Sequence, residues 1–233
     1  MPKSKRILFY GAITLIAVFF WNSGVLYPVR MLAVFFHELS HLIVALITGG
    51  KVREFILVPG EGGHVLTEGG NLPLIALSGY TGSLLSGLAV LLVSDRTSLD
   101  RWVSGILGAI VIFVGFAFGD SLFTALFCLI TGAVLMGIAL FLPPEINDLI
   151  LRFVGLSVML YAPYDVLTDV FLSNGYVSDA GLLSESLGGS AKFWGWVWLL
   201  TSGITIAGAF IYLLGKPLPG EEERQEQSSG CCG

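Results

Sequence analysis

The residues of this chain best suited to chemistry are His37, Glu38 and His41, spaced as HExxH in Phe35-Phe36-His37-Glu38-Leu39-Ser40-His41. On a helix, side chains at i and i+4 share a face, so the two imidazoles can hold one Zn2+ while Glu38 accepts a proton from a water activated there. The chain has three histidines, and two of them complete this motif. Apolar sequence flanks it, from Val25 to Leu32 and from Leu42 to Ile47. A carboxylate in that setting costs roughly 2 to 3 kcal/mol and marks function before packing. The pattern predicts zinc-dependent hydrolysis inside a membrane, with Glu38 as the catalytic base.

A catalytic zinc keeps three protein ligands and one open position, so a further ligand must come from elsewhere. Asp165, Asp169, Asp179 and His64 are the candidates, because Asp95, Asp100 and Asp148 fall at helix ends and Asp120 in a turn. Asp165 is favoured by topology. If the chain turns at Gly119-Asp120, the HExxH helix and the Asp165 helix run in the same direction, and a rise of about 1.5 Å per residue puts the two sites at equal depth. A single crossing over 102–142 would send Asp165 to the opposite face. Asp169 lies one turn along the same helical face, as a partner to a ligand or an alternative ligand. Asp179, after the Asn174-Gly175 turn, is a helix cap or a ligand. Tyr161 and Tyr164 carry phenols able to donate to an oxyanion, and His64, in a glycine-rich loop, is a candidate substrate contact.

Positioning these residues falls to apolar helices. With 233 residues, 55% of them hydrophobic and 12% charged, the composition predicts an all-α polytopic membrane protein, since each crossing uses about 20 residues. Six to seven transmembrane helices are expected, over 7–21, 27–47, 72–93, 102–118, 121–142, 148–171 and 193–214, forming one domain over 1–216 with a disordered polar tail over 217–233. The segment 51–70, with its Pro59-Gly60 turn, predicts a short cytoplasmic strand or β-hairpin. Ser78, Gly79, Gly82, Ser83, Ser86 and Gly87 form a small-residue face for close helix packing. Lys3, Lys5 and Arg6 argue for a cytoplasmic N-terminus, and Lys51 and Arg53 for a cytoplasmic hairpin. The expected location is a plasma or organellar membrane. The partners are the bilayer and a transmembrane protein or peptide substrate, and with a net charge of −5 nothing points to nucleic acid. Cys128, Cys231 and Cys232 supply neither a disulfide framework nor a CxxC pair; the last two resemble an acylation site, although seven alternating spans would put that tail outside.

Taken in order, Phe36-His37-Glu38-Leu39-Ser40-His41, then Thr48-Gly49-Gly50-Lys51-Val52 with Gly62-Gly63, then Leu77-Ser78-Gly79-Tyr80-Thr81-Gly82 and a late aspartate-bearing span, the chain resembles the site-2 protease family of intramembrane zinc metalloproteases. The likeness is to the compact branch without a PDZ domain and covers residues 28–93 and 150–180. It implies zinc held by His37, His41 and an aspartate, Glu38 as general base, and peptide hydrolysis inside or at the edge of the bilayer. Two places depart from the family. Its late aspartate stands in an Asn-Pro and Asp-Gly context, whereas here Tyr161-Ala162-Pro163-Tyr164-Asp165 is found, which leaves the aspartate ligand open. Its Gly-Pro with a following asparagine is replaced by Ser78-Gly79-Tyr80. Two other functions use the same residues: a membrane scaffold that keeps the metal motif without proteolysis, and a metal or proton transporter built on the intramembrane carboxylates. Transport does not need a glutamate beside the first histidine, and that adjacency favours hydrolysis.

Overall fold

The computed structural model describes residues 3–172 and 178–215. The helices are α1 (Lys3–Phe19), α2 (Tyr27–Ile47), α3 (Leu72–Arg96), α4 (Asp100–Phe118), α5 (Leu122–Phe141), α6 (Pro144–Val166), α7 (Asp179–Leu187) and α8 (Ala191–Gly215). Between α2 and α3 lies one antiparallel hairpin, β1 (Lys51–Val58) and β2 (Gly62–Glu68). Among the described residues six helices are long and apolar enough to cross a membrane: α2, α3, α4, α5, α8, and α6 together with a wider π-helical turn over Leu167–Leu172. The protein is thus an all-α integral membrane fold with a small hairpin.

The turn expected at Gly119-Asp120 is present: α4 and α5 are separate helices. Ser121 caps α5 through a bond from Thr124 N, and small residues let the pair close, since a side chain at Gly108 would meet the backbone of Gly132, and one at Gly115 the Cβ of Cys128. The small-residue face of α3 works the same way against α6. A Cβ at Gly87 would collide with Met159, and one at Gly155 with Leu91. Without a hydrophobic driving force between helices in lipid, such close van der Waals contact is what holds them together.

Contacts along α3 establish direction. At its start, Asn71 N bonds Thr48 Oγ1 at 3.1 Å, just beyond the end of α2. At its end, Ser94 Oγ bonds Asp148 Oδ1 at 3.0 Å near the start of α6. Both α2 and α6 therefore run antiparallel to α3 and parallel to each other, as equal depth of the HExxH motif and Asp165 requires.

The first helix departs from expectation. α1 has 17 residues, and Arg6 pairs with Asp95 at 3.2 Å, at the far end of α3 from Lys51. α1 and α2 together carry the chain across once instead of forming two opposed spans. α8 returns to the same end, where Arg96 donates to Tyr212 O at 3.1 Å. Both ends of the described chain thus meet one face, and the N-terminal basic residues and Lys51-Arg53 lie at opposite ends, so only one of these groups can be cytoplasmic. The expected tail, its Cys231-Cys232 pair and the Asn174-Gly175 turn lie outside the described residues.

Candidate metal centre

Helix α2 carries the motif through its most buried stretch, Arg30 to Glu38, with His41 also buried. His41 Nδ1 lies 2.8 Å from the carbonyl of Ile75 on α3. A carbonyl only accepts, so Nδ1 holds the proton and the Nε2 lone pair points into the site. His37 presents Nε2 to the same point. The group that meets them there is Asp179 on α7: its Oδ2 is 3.1 Å from His37 Nε2 and 3.2 Å from His41 Nε2. These three side chains could hold one metal ion, their ligand atoms all lying within 4.8 Å of one another.

Three observations fit a cation at that point. Asp179 Oδ2 is buried without a hydrogen-bond donor, an arrangement costly for an oxygen unless a cation satisfies it. His37 Nε2 and His41 Nε2 stand 3.1 and 3.2 Å from that same oxygen, a convergence of lone-pair atoms that a cation between them would stabilise. Gly79 of α3 supplies the third: a Cβ there would stand 2.6 Å from Asp179 Oδ2 and closer still to both histidine Nε2 atoms. Only glycine leaves that volume open. Two imidazoles and one carboxylate form a donor set suited to catalytic zinc.

Asp165, the aspartate favoured from topology, reaches the motif from the other side. Its Oδ2 lies 3.5 Å from His37 Nδ1, the ring nitrogen turned away from Asp179. Depth alone brought it to the right histidine, whereas the choice of nitrogen depends on how α6 is rotated. Asp169 accepts a bond from the Tyr80 hydroxyl at 3.0 Å. Sequence reasoning did not assign Tyr80 a role, yet it is buried edge-on to the His37 ring, with centroids 4.8 Å apart, and it packs on Trp198. Its place in Ser78-Gly79-Tyr80, where the family pattern is broken, was the available signal.

Glu38 is buried and lines a cavity of about 510 Å³ shared with His37, His41, Asp179 and strand β2. It lies directly against β2, for a Cβ on Gly63 would come within 2.9 Å of Glu38 Cγ. His64, also lining this cavity, is exposed and 3.5 Å from Glu54 Oε2 across the hairpin. Tyr161 and Tyr164 are not among the cavity-lining residues. Both rings pack on Trp21, at 5.7 and 5.6 Å.

A family model described as Peptidase M50B-like matches residues 10–209. The chain belongs to the Peptidase M50B-like family. The matched region spans α2, α3, α6 and α7, the helices that converge on the metal centre, so membership and geometry concern the same residues. No curated protein and no solved structure matches the chain. At the level of this family the protein is a membrane-embedded peptidase fold with a His-His-Asp cluster.

Proposed function

We propose that this protein is a zinc-dependent endopeptidase that cuts membrane-embedded or membrane-proximal segments of other polypeptides. The observation that carries the reading is the convergence of His37 Nε2, His41 Nε2 and Asp179 Oδ2 on one point opposite Gly79, with Glu38 beside it. His37, His41 and Asp179 would hold the ion. Zinc supplies Lewis acidity, polarising a carbonyl and lowering the pKa of a water toward 7. Glu38 takes the proton of the attacking water and returns it to the departing amine, a role typically worth about 10²- to 10⁴-fold in rate. The Asp165 carboxylate, 3.5 Å from His37 Nδ1, favours the tautomer with its proton on Nδ1 and the Nε2 lone pair facing the site.

A helical substrate buries its peptide groups in its own hydrogen bonds, so it must be extended before attack. The hairpin offers an edge for this, and two features favour β2 as that edge. The outer edge of β1 is occupied by the α4–α5 turn: Asp120 N bonds Phe55 O at 3.2 Å, Phe55 N bonds Asp120 Oδ2 at 3.2 Å, and Leu57 N bonds Thr124 Oγ1 at 2.9 Å. β2 instead lines the cavity, and Gly63 lets its backbone approach Glu38. An extended segment added along β2 would carry its carbonyls past the metal centre.

The test is cleavage of a transmembrane substrate by purified protein in nanodiscs, with zinc content measured in parallel. Glu38→Gln is expected to keep stoichiometric zinc and lose at least about 10²-fold in kcat. Undiminished cleavage by that variant would end the proposal.

A further inference from the structure

The hairpin is fastened at its tip, at the start of helix α2. β1 leaves the end of α2 and runs back along it for eight residues, about 26 Å at 3.3 Å per residue, so that Pro59 O accepts a bond from the hydroxyl of Tyr27, the first residue of α2, at 3.0 Å. Beside it, Arg30 grips Glu61 with both ends of its fork, Nε to Oε2 at 2.7 Å and Nη2 to Oε1 at 2.6 Å. The guanidinium is buried, and its remaining amine donates to the carbonyls of Trp21 and Ser23 in the α1–α2 connection. A bidentate pair with a buried guanidinium fixes geometry as well as charge.

The backbone at Glu61 makes an independent point. Val58 pairs with Gly62, which leaves Pro59-Gly60-Glu61 as a three-residue turn, and the last position of such turns is commonly left-handed and favours glycine. Glu61 occupies it at φ +62°, the one non-glycine residue with positive φ among the described residues. A strained conformation is retained where the side chain is needed, and the side chain here reaches Arg30. Glu61 also lines the cavity at the start of β2.

We propose that Arg30 and Glu61 form a clasp that holds strand β2 ordered in place as the substrate-receiving edge beside Glu38. The residues act through β2, as positioning residues, and the substrate role rests on the peptidase reading above. An edge ordered in advance spares a substrate the cost of ordering it, so losing the clasp weakens binding more than it slows chemistry.

Glu61→Gly is the decisive variant, because it removes the carboxylate and relieves the backbone strain together. In nanodiscs, amide exchange over Gly62–Glu68 is expected to accelerate by about tenfold while α3 keeps its protection. With an extended peptide substrate, KM should rise by about tenfold and kcat change by less than about threefold, with zinc content as in the unaltered protein. Glu61→Asp should recover part of the loss. Unchanged exchange in β2 overturns the clasp, and so does a parallel fall in kcat, zinc content and thermal stability, which a general packing role would produce. If the unaltered protein cleaves nothing, accelerated exchange in Glu61→Gly still supports the clasp, and the peptidase reading alone fails.

Discussion

Two aspartates approach the HExxH motif from different helices, and their variants should behave differently. Asp179 Oδ2 shares a point with both histidine Nε2 atoms, so Asp179→Ala is expected to abolish stoichiometric zinc binding. Of the two histidines Asp165 approaches His37 alone, at Nδ1, so Asp165→Ala should leave zinc bound with affinity lowered by about 10- to 100-fold. Chelator competition measures both, and the reverse order would exchange the two assignments. Gly79→Ala places a methyl group among the three ligand atoms; zinc should be lost while the helical circular dichroism signal stays, because the clash is with side-chain ends and not with a neighbouring backbone.

Among the elements, the hairpin and α7 matter most. β1 is sealed against the α4–α5 turn by Thr124, whose hydroxyl accepts from Leu57 N. Thr124→Val leaves that buried amide unpaired and should cost about 1 to 3 kcal/mol, read from denaturant unfolding in detergent. α7 is a nine-residue helix whose first residue is the proposed ligand Asp179, anchored by Ala180 and Leu183 and followed by Gly188 and Gly189, both at positive φ. A helix this short is not stable alone, so its docking depends on those contacts and on Asp179. Removal of zinc by a chelator is expected to raise amide exchange in α7 well before α3 responds. Equal protection with and without metal would show that packing alone holds it.

At the scale of the molecule, the end remote from the metal centre is tied by charges. Asp95 is buried and receives Arg6 at 3.2 Å, Arg96 at 3.1 Å and Arg152 at 3.2 Å, joining α1, α3 and α6, while Arg152 also holds Asp148 at 2.5 Å. A buried charge that loses its partner is costly, so Asp95→Ala should destabilise the protein by about 3 to 5 kcal/mol, seen as a lower midpoint in thermal unfolding. The Arg6–Asp95 pair and the bond from Arg96 to Tyr212 O place both described ends of the chain on one face. Single cysteines at Lys5 and Gly215 should react with an impermeant thiol reagent from one side of a sealed vesicle, and one at Lys51 from the other; labelling of Lys5 and Lys51 from the same side would contradict the fold.

The sequence by itself determined what is local or additive. Apolar runs of span length, the HExxH pair on one helical face, the turn at Gly119-Asp120 and the hairpin after Gly49-Gly50 are each properties of a few adjacent residues, and each is in the structure. It also required a carboxylate at the depth of the motif, because helix rise is constant, and Asp165 is there. Depth is one coordinate of three. Which aspartate faces Nε2, and which faces Nδ1, depends on helix rotation and on where α7 folds back, and those are decided by close contacts such as Gly87 on Met159 and Leu183 in its cluster. The direction of α1 was likewise beyond the sequence, because apolar composition is the same for either sense of crossing, and only the Arg6–Asp95 pair, 89 residues apart, settles it.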